Sequence, residues 1–371
     1  MPARMGGGGP MAIGISLYPE HASFERNAAY VERAAAHGCT RVFSCLLSAE
    51  GDRASLAGEF SALSRVCHDH GMEVVLDVAP AVFSRVGARP DDLSFFAEAG
   101  ADGIRLDEGF GGPDVAAMTA DPHCLVVELN ASTADGSLEA ALACGADKGR
   151  LQACHNFFPQ RYTGLGLDFL VRESARAKDA GVRLAAFVSS SAPSAFGPWP
   201  GADGLPTLEM HRGLPVSFQA RHLYALGLVD DLLVSNCFAT DDELAALAAA
   251  RPGTVAMAVA PVPSVGDAER DVLAFAHRVR GDLSPYLFRS TASRVVFADR
   301  DFPAHDTRDL EPGDVVVVNE RGGRYKGELQ VVRRPIPNDG TRNVVATVED
   351  SEARLLDCLD SWVPFTFVEE A

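Results

Sequence analysis

The feature that most constrains this chain is a pattern repeated along its first two thirds. An apolar run of about five residues ends in a charged or amide side chain, and an alanine-rich amphipathic stretch follows. Read in order, AIGISLYPE ends at Glu20, TRVFSCLL carries Ser44, MEVVLDVAP carries Asp77, and DGIRLDEGF carries Arg105 and Asp107. CLVVELNAS follows with Glu128 and Asn130, LQACHNFFP with His155 and Asn156, VRLAAFVSSS with its serines, and DDLLVSNCF with Asn236. The intervening NAAYVERAAAHG and ASLAGEFSALSRVCHDHG close on His-Gly, a signal for a helix C-terminus. Eight such units over roughly 240 residues predict a (β/α)8 TIM barrel, whose functional residues sit at the C-terminal ends of the strands.

The pattern stops near Ala250, and the chain exceeds one barrel by about 120 residues, so a second domain is expected. TVAMAVAPVP is followed by DAERDVLAFAHRVRG, which reads as a helix. LEPGDVVVVNE, GELQVVRR and RNVVATVED then alternate with Gly, Pro and Asn-Asp-Gly turn signals. The division is therefore a barrel over 11–250 and a small β-rich domain over 251–371. Residues 1–10, MPARMGGGGP, lack an apolar h-region and read as a flexible tail, not a signal peptide.

A formal charge of −18 argues against nucleic acid or an anionic membrane as partner, and no apolar run of about 20 residues would span a bilayer. The eight cysteines include no C-x-x-C pair, and several fall inside apolar strand patterns; reduced thiols in a cytoplasmic protein are the expectation. An anionic substrate could bind only where arginines or helix N-termini reverse the local field.

GISLYPEH, RVFSCLLS, EVVLDVAPAVF, DGIRLDEGF, ELNAS, ACHNFFPQRYTGL, GLPTLEMHR, FRSTASR and RYKGELQV occur here in the order found in a bacterial family of 6-phospho-N-acetylmuramidases. The chain resembles that family from about Ile13 to Phe367. The resemblance implies a TIM barrel followed by a cyclophilin-like β-barrel domain. It also implies a cytoplasmic hydrolase that cleaves the β-1,4 bond of N-acetylmuramic acid 6-phosphate–N-acetylglucosamine in cell-wall recycling, without a cofactor. The partner is then a small phosphorylated disaccharide, and a homodimer is compatible with it. Phe158 and Ser235 depart from the tyrosine and glycine frequent in the family, which bears on how the sugar fits.

Glycoside hydrolysis usually needs one protonated and one ionised carboxyl group. Glu20, Asp107, Glu128 and Glu209 are the candidates. Asp107 ranks first as the anion, because Arg105 two residues away points to the same strand face and would keep it ionised. The plainer alternative is an ion pair that only braces the barrel mouth. Glu209 is the favoured acid: Trp199 and Leu208 in its loop would desolvate it and raise its pKa. Arg105, Asn130, His155, Asn156, Gln160, Tyr162, His211, Arg212 and Asn236 are expected to bind and orient the sugar, and catalysis assisted by the substrate acetamide stays open. A thiolate role for Cys154 is disfavoured, since it faces away from its neighbour His155.

Arginine suits a phosphate, and Arg289, Arg294 and Arg324, with Ser290, are the expected phosphate ligands, which would make the second domain part of the site. Two further readings compete. Asp77, Glu128, His155 and His211 could hold a divalent cation, as in metal-dependent hydrolases or lyases, although no H-x-H or H-E-x-x-H spacing supports one and no metal is expected. A non-catalytic phosphosugar-binding protein would use the same fold.

Overall fold

The computed structural model describes residues 11–201 and 203–368; the tail expected over 1–10 lies outside them. The chain divides into two compact units, Met1–Leu223 with Leu228–Ala250, and Tyr224–Gly227 with Arg251–Ala371.

The first unit is a closed barrel of eight parallel strands: β1 (Ile13–Leu17), β2 (Arg41–Cys45), β3 (Glu73–Val78), β4 (Gly103–Leu106), β5 (Val126–Asn130), β6 (Leu151–Cys154), β7 (Arg183–Val188) and β8 (Asp231–Val234). β1 pairs with β8, Ile13 against Leu232, and the ring closes with no free edge. The strands are buried on both faces because helices cover the outside and side chains, a few of them charged and paired, fill the inside. Around the barrel run α1 (Phe24–Ala36), α2 (Arg53–Asp69), α3 (Pro80–Val86), α4 (Ser94–Glu98), α5 (Gly112–Ala120), α6 (Ser137–Ala143), α7 (Leu167–Asp179), α8 (Val216–Ala225) and α9 (Asp241–Ala249).

Local sequence sets these helix starts. Ser23 accepts from the Arg26 N–H and Asp52 from the Ser55 N–H, while Thr240 and Glu243 form a reciprocal capping box on α9. On α1, Tyr30, Val31 and Ala34 share the buried face. Gly14 is needed for strand approach: a Cβ there would stand 2.3 Å from the Arg41 carbonyl oxygen.

The second unit is a seven-stranded mixed sheet. Its elements are β9 (Val255–Pro261), α10 (Asp267–Leu273), β10 (His277–Arg278), β11 (Leu287–Ser290), α11 (Ser293–Val296), β12 (Asp314–Val318), β13 (Leu329–Val332), β14 (Arg342–Val348) and β15 (Pro364–Val368). The strand order is β10-β15-β9-β14-β12-β13-β11, with only β15 and β9 parallel. Leu310, Val316, Val332 and Val344 form a core cluster against Val262 and Ile336. The helix expected over DAERDVLAFAHRVRG is shorter than its pattern. It ends at Leu273, and His277 turns into a strand where its ring stacks on Phe365 at 5.1 Å. No helix of the described residues is long and apolar enough to cross a membrane.

Candidate functional site

The ends of β3 and β4 bring together the densest charge in the barrel mouth. Asp77 and Arg105 are register partners on adjacent strands, so their side chains emerge side by side. Arg105 Nη1 donates to Asp77 Oδ1 at 2.6 Å and to Asp107 Oδ1 at 3.3 Å, and its Nη2 donates to Asn156 Oδ1. Sharing one nitrogen places the two carboxyl oxygens within about 6 Å of each other. Their surroundings differ: the Asp107 side chain is 32% exposed and that of Asp77 only 6%. Burial pushes Asp77 up to about 6, with the Asp107 charge adding to the rise and Arg105 opposing it. Asn130 steadies Asp107 by donating from Nδ2 to its backbone oxygen at 3.0 Å.

Asp77 is the residue that sequence reasoning under-weighted, treating it only as a metal ligand. Its signal was a lone carboxylate in the otherwise apolar run VVLDV.

Glu20 also lies at the mouth, in a single turn after β1. Ser48 donates to its Oε1, while its Oε2 is buried with no hydrogen-bond partner among the described residues.

Glu128 does not reach the mouth. It is fully buried inside the barrel, where Arg41 Nη2 and Gln152 Nε2 at 2.8 Å both donate to Oε2. It belongs to an interior charged tier with Arg183 and Asp231, so substrate cannot contact it.

The desolvated environment expected for Glu209 is overturned. Arg212 donates from Nε to Oε1 at 2.8 Å and from Nη2 to Oε2 at 2.7 Å, and the N–H groups of Tyr162 and Gly164 add one bond to each oxygen, both at 2.8 Å. These donors, Arg212 foremost, hold the carboxyl down to about 2 and unfit it as a proton donor at neutral pH. Trp199 lies 45% exposed and leans on Phe157.

Arg212 is likewise committed to the protein. Its Nη1 and Nη2 donate to the carbonyls of Asp203, Gly204, Phe158 and Gln160, all at 3.0 Å, which ties the loops after β6 and β7 together.

Both expected histidine ligands are inaccessible. His155 is fully buried between Ser132 and Ser174, and burial pushes it down to about 4; His211 is fully buried against His222 at 2.8 Å. Asn236 braces Ser190 through two hydrogen bonds, while Gln160 and Tyr162 stand exposed. Among the described residues no group of three or more His, Cys, Asp or Glu side chains gathers as a metal site would, so Asp77, Glu128, His155 and His211 do not form one.

A cavity of about 610 Å³ opens at the ends of β7 and β8, three and four strands round the ring from Arg105. Ser189, Ser190, Ser191, Tyr162, Phe196 and Asn236 are among its walls.

In the second unit, Arg289 donates from Nε and Nη2 to the buried Glu328 at 2.7 and 3.0 Å, and Arg294 reaches the same carboxylate at 3.3 Å. The guanidiniums of Arg289, Arg294 and Arg324 surround the Tyr325 ring at 5.7, 5.5 and 4.9 Å from its centre. Arg289, Arg321, Tyr325 and Arg342 line a cavity of about 870 Å³. Sequence reasoning missed Arg321 and Arg342, whose strings carry no spacing cue. Ser290 is fully buried and bonded to His277 at 2.9 Å, so it is not available to a phosphate.

A family model described as 6-phospho-N-acetylmuramidase, N-terminal, matches residues 13–249, and one described as 6-phospho-N-acetylmuramidase, C-terminal, matches residues 255–368. An uncharacterized B. cereus protein of solved structure is 44% identical with a TM-score of 0.90, over 97% of this chain and 100% of that one. A conserved Enterococcus faecalis protein of unknown function is 25% identical with a TM-score of 0.70, over 97% of each chain. No curated protein gives a significant match.

Proposed function

The chain belongs to the 6-phospho-N-acetylmuramidase family, and from that premise we propose that it is a glycosidase acting on N-acetylmuramic acid 6-phosphate–N-acetylglucosamine in cell-wall recycling. The observation that carries this reading is the Asp77–Arg105–Asp107 group at the barrel mouth, where one carboxylate is exposed to a substrate and the other is sequestered behind the same guanidinium. Asp107 is the ionised partner that attacks the anomeric carbon or activates water, with Arg105 holding it in place. Glu20 is the proton donor to the leaving oxygen: it lies in the turn after β1 with its side chain partly exposed. Asp77 is a positioning residue, because its bond to Arg105 fixes the guanidinium that holds Asp107.

Within the second unit, the arginine cluster around Tyr325 is the feature best suited to bind an anion. Arg324 is the most available member, since Arg289 and Arg294 share Glu328. In a chain of net charge −18 such a concentration of cations is the feature that suits an anionic sugar.

Asp107→Asn should keep the fold, checked by circular dichroism, and lower kcat by about 10²–10⁴. Glu20→Gln should lower kcat comparably. Near-normal turnover by Asp107→Asn would make Arg105–Asp107 a structural ion pair and the mechanism wrong.

A further inference from the structure

Tyr162 sits in the loop between β6 and α7 with its side chain in solvent, 88% exposed, and its backbone in the left-handed region at φ 69°. L-residues rarely adopt that conformation, so something must hold it. What holds it is the Glu209 carboxylate, which accepts from the Tyr162 and Gly164 N–H groups while Arg212 grips its other side. The packing at Gly164 is tight: a Cβ there would stand 2.7 Å from Glu209 Oε2. The backbone is thus clamped while the ring is left uncovered at the rim of the cavity at the β7 and β8 ends.

The cavity's chemistry narrows the ligand. Its charged side chains are already neutralised in pairs, Arg161 with Asp203 at 2.8 Å and Glu209 with Arg212 at 2.7 Å, so it offers no spare cation to a phosphate. It offers instead the exposed Ser191 hydroxyl beside an aromatic face, and its volume of about 610 Å³ suits a small ligand. A pyranose has the complementary surface: axial C–H groups that pack on an aromatic ring and hydroxyls round its edge.

We propose that this cavity is a subsite for a neutral N-acetylhexosamine, with Tyr162 as its stacking platform and Glu209 as the residue that positions Tyr162. Identifying that sugar with the leaving half of the substrate rests on the glycosidase reading; the binding itself does not.

The test is binding of N-acetylglucosamine to the full chain by saturation-transfer NMR and titration, alongside kinetics on the phosphorylated disaccharide. Tyr162→Phe should bind like the wild type, and Tyr162→Ala should weaken binding at least about tenfold. Glu209→Gln should weaken it too, and in both weakened variants KM should rise while kcat stays within a few-fold. The methyl glycoside of N-acetylmuramic acid 6-phosphate, which lacks the second sugar, should show no such rise. Absence of wild-type binding, or undiminished binding by Tyr162→Ala, overturns the subsite even if the enzyme is active. Binding lost in Tyr162→Ala by a chain that cleaves nothing would support the subsite and overturn the glycosidase reading.

Discussion

Arg105 and Arg212 carry the same guanidinium into opposite duties. Arg105 faces the barrel mouth and shares its donors between two carboxylates and an amide, leaving Asp107 open to solvent. Arg212 spends its donors inside two loops and organises backbone. The first duty was legible because residues two apart on a strand share a face, whereas the second was not. The N–H groups that converge on Glu209 come from residues 47 and 45 positions away, and nothing in its own loop announces them. His155 misled for a related reason: a strand-end histidine looks the same in sequence whether it faces the mouth or, as here, Ser174 on a covering helix.

Its burial has a consequence for stability. With a folded pKa of about 4 against about 6.5 unfolded, His155 resists a proton that the unfolded chain accepts. Its contribution is therefore complete above about pH 6.5 and is lost as pH falls from there toward 4. The urea midpoint should drop between pH 7 and pH 5, and less steeply in His155→Gln; an unchanged slope in that variant would place the proton linkage on other groups.

At the level of elements, all eight barrel strands could be read from apolar runs and their polar ends, because a parallel strand covered on both faces must be apolar almost throughout. α10 was over-extended because His277 and Arg278 look as acceptable in a helix as in a short strand; the aromatic partners Phe365 and Phe367 that decide the matter lie far along the chain. Helix spacing gives a sharper prediction. At Gly112, on the first turn of α5, a Cβ would stand 2.6 Å from the Ala140 carbonyl oxygen of α6 and 3.1 Å from Cys144 Sγ. Gly112→Ala should destabilise the chain by about 1–3 kcal/mol through overpacking, measured by urea unfolding. No loss would show that α5 and α6 can separate without cost.

For the molecule as a whole, an excess of negative charge goes with cations that are kept local. The interior arginines answer buried carboxylates, and the cluster around Tyr325 presents guanidiniums to solvent. Sequence strings located the family, the barrel and the arginine-bearing segments, but they could not show which cations are already neutralised, since Glu328 is 39 residues from Arg289. The central claim is chemical and has a direct test. Purified protein is incubated with the β-1,4-linked N-acetylmuramic acid–N-acetylglucosamine disaccharide, with and without the 6-phosphate, and the products are resolved by mass spectrometry. The expected result is release of N-acetylmuramic acid 6-phosphate and N-acetylglucosamine from the phosphorylated compound, with little or none from the other; no cleavage of either, or equal cleavage of both, would contradict it.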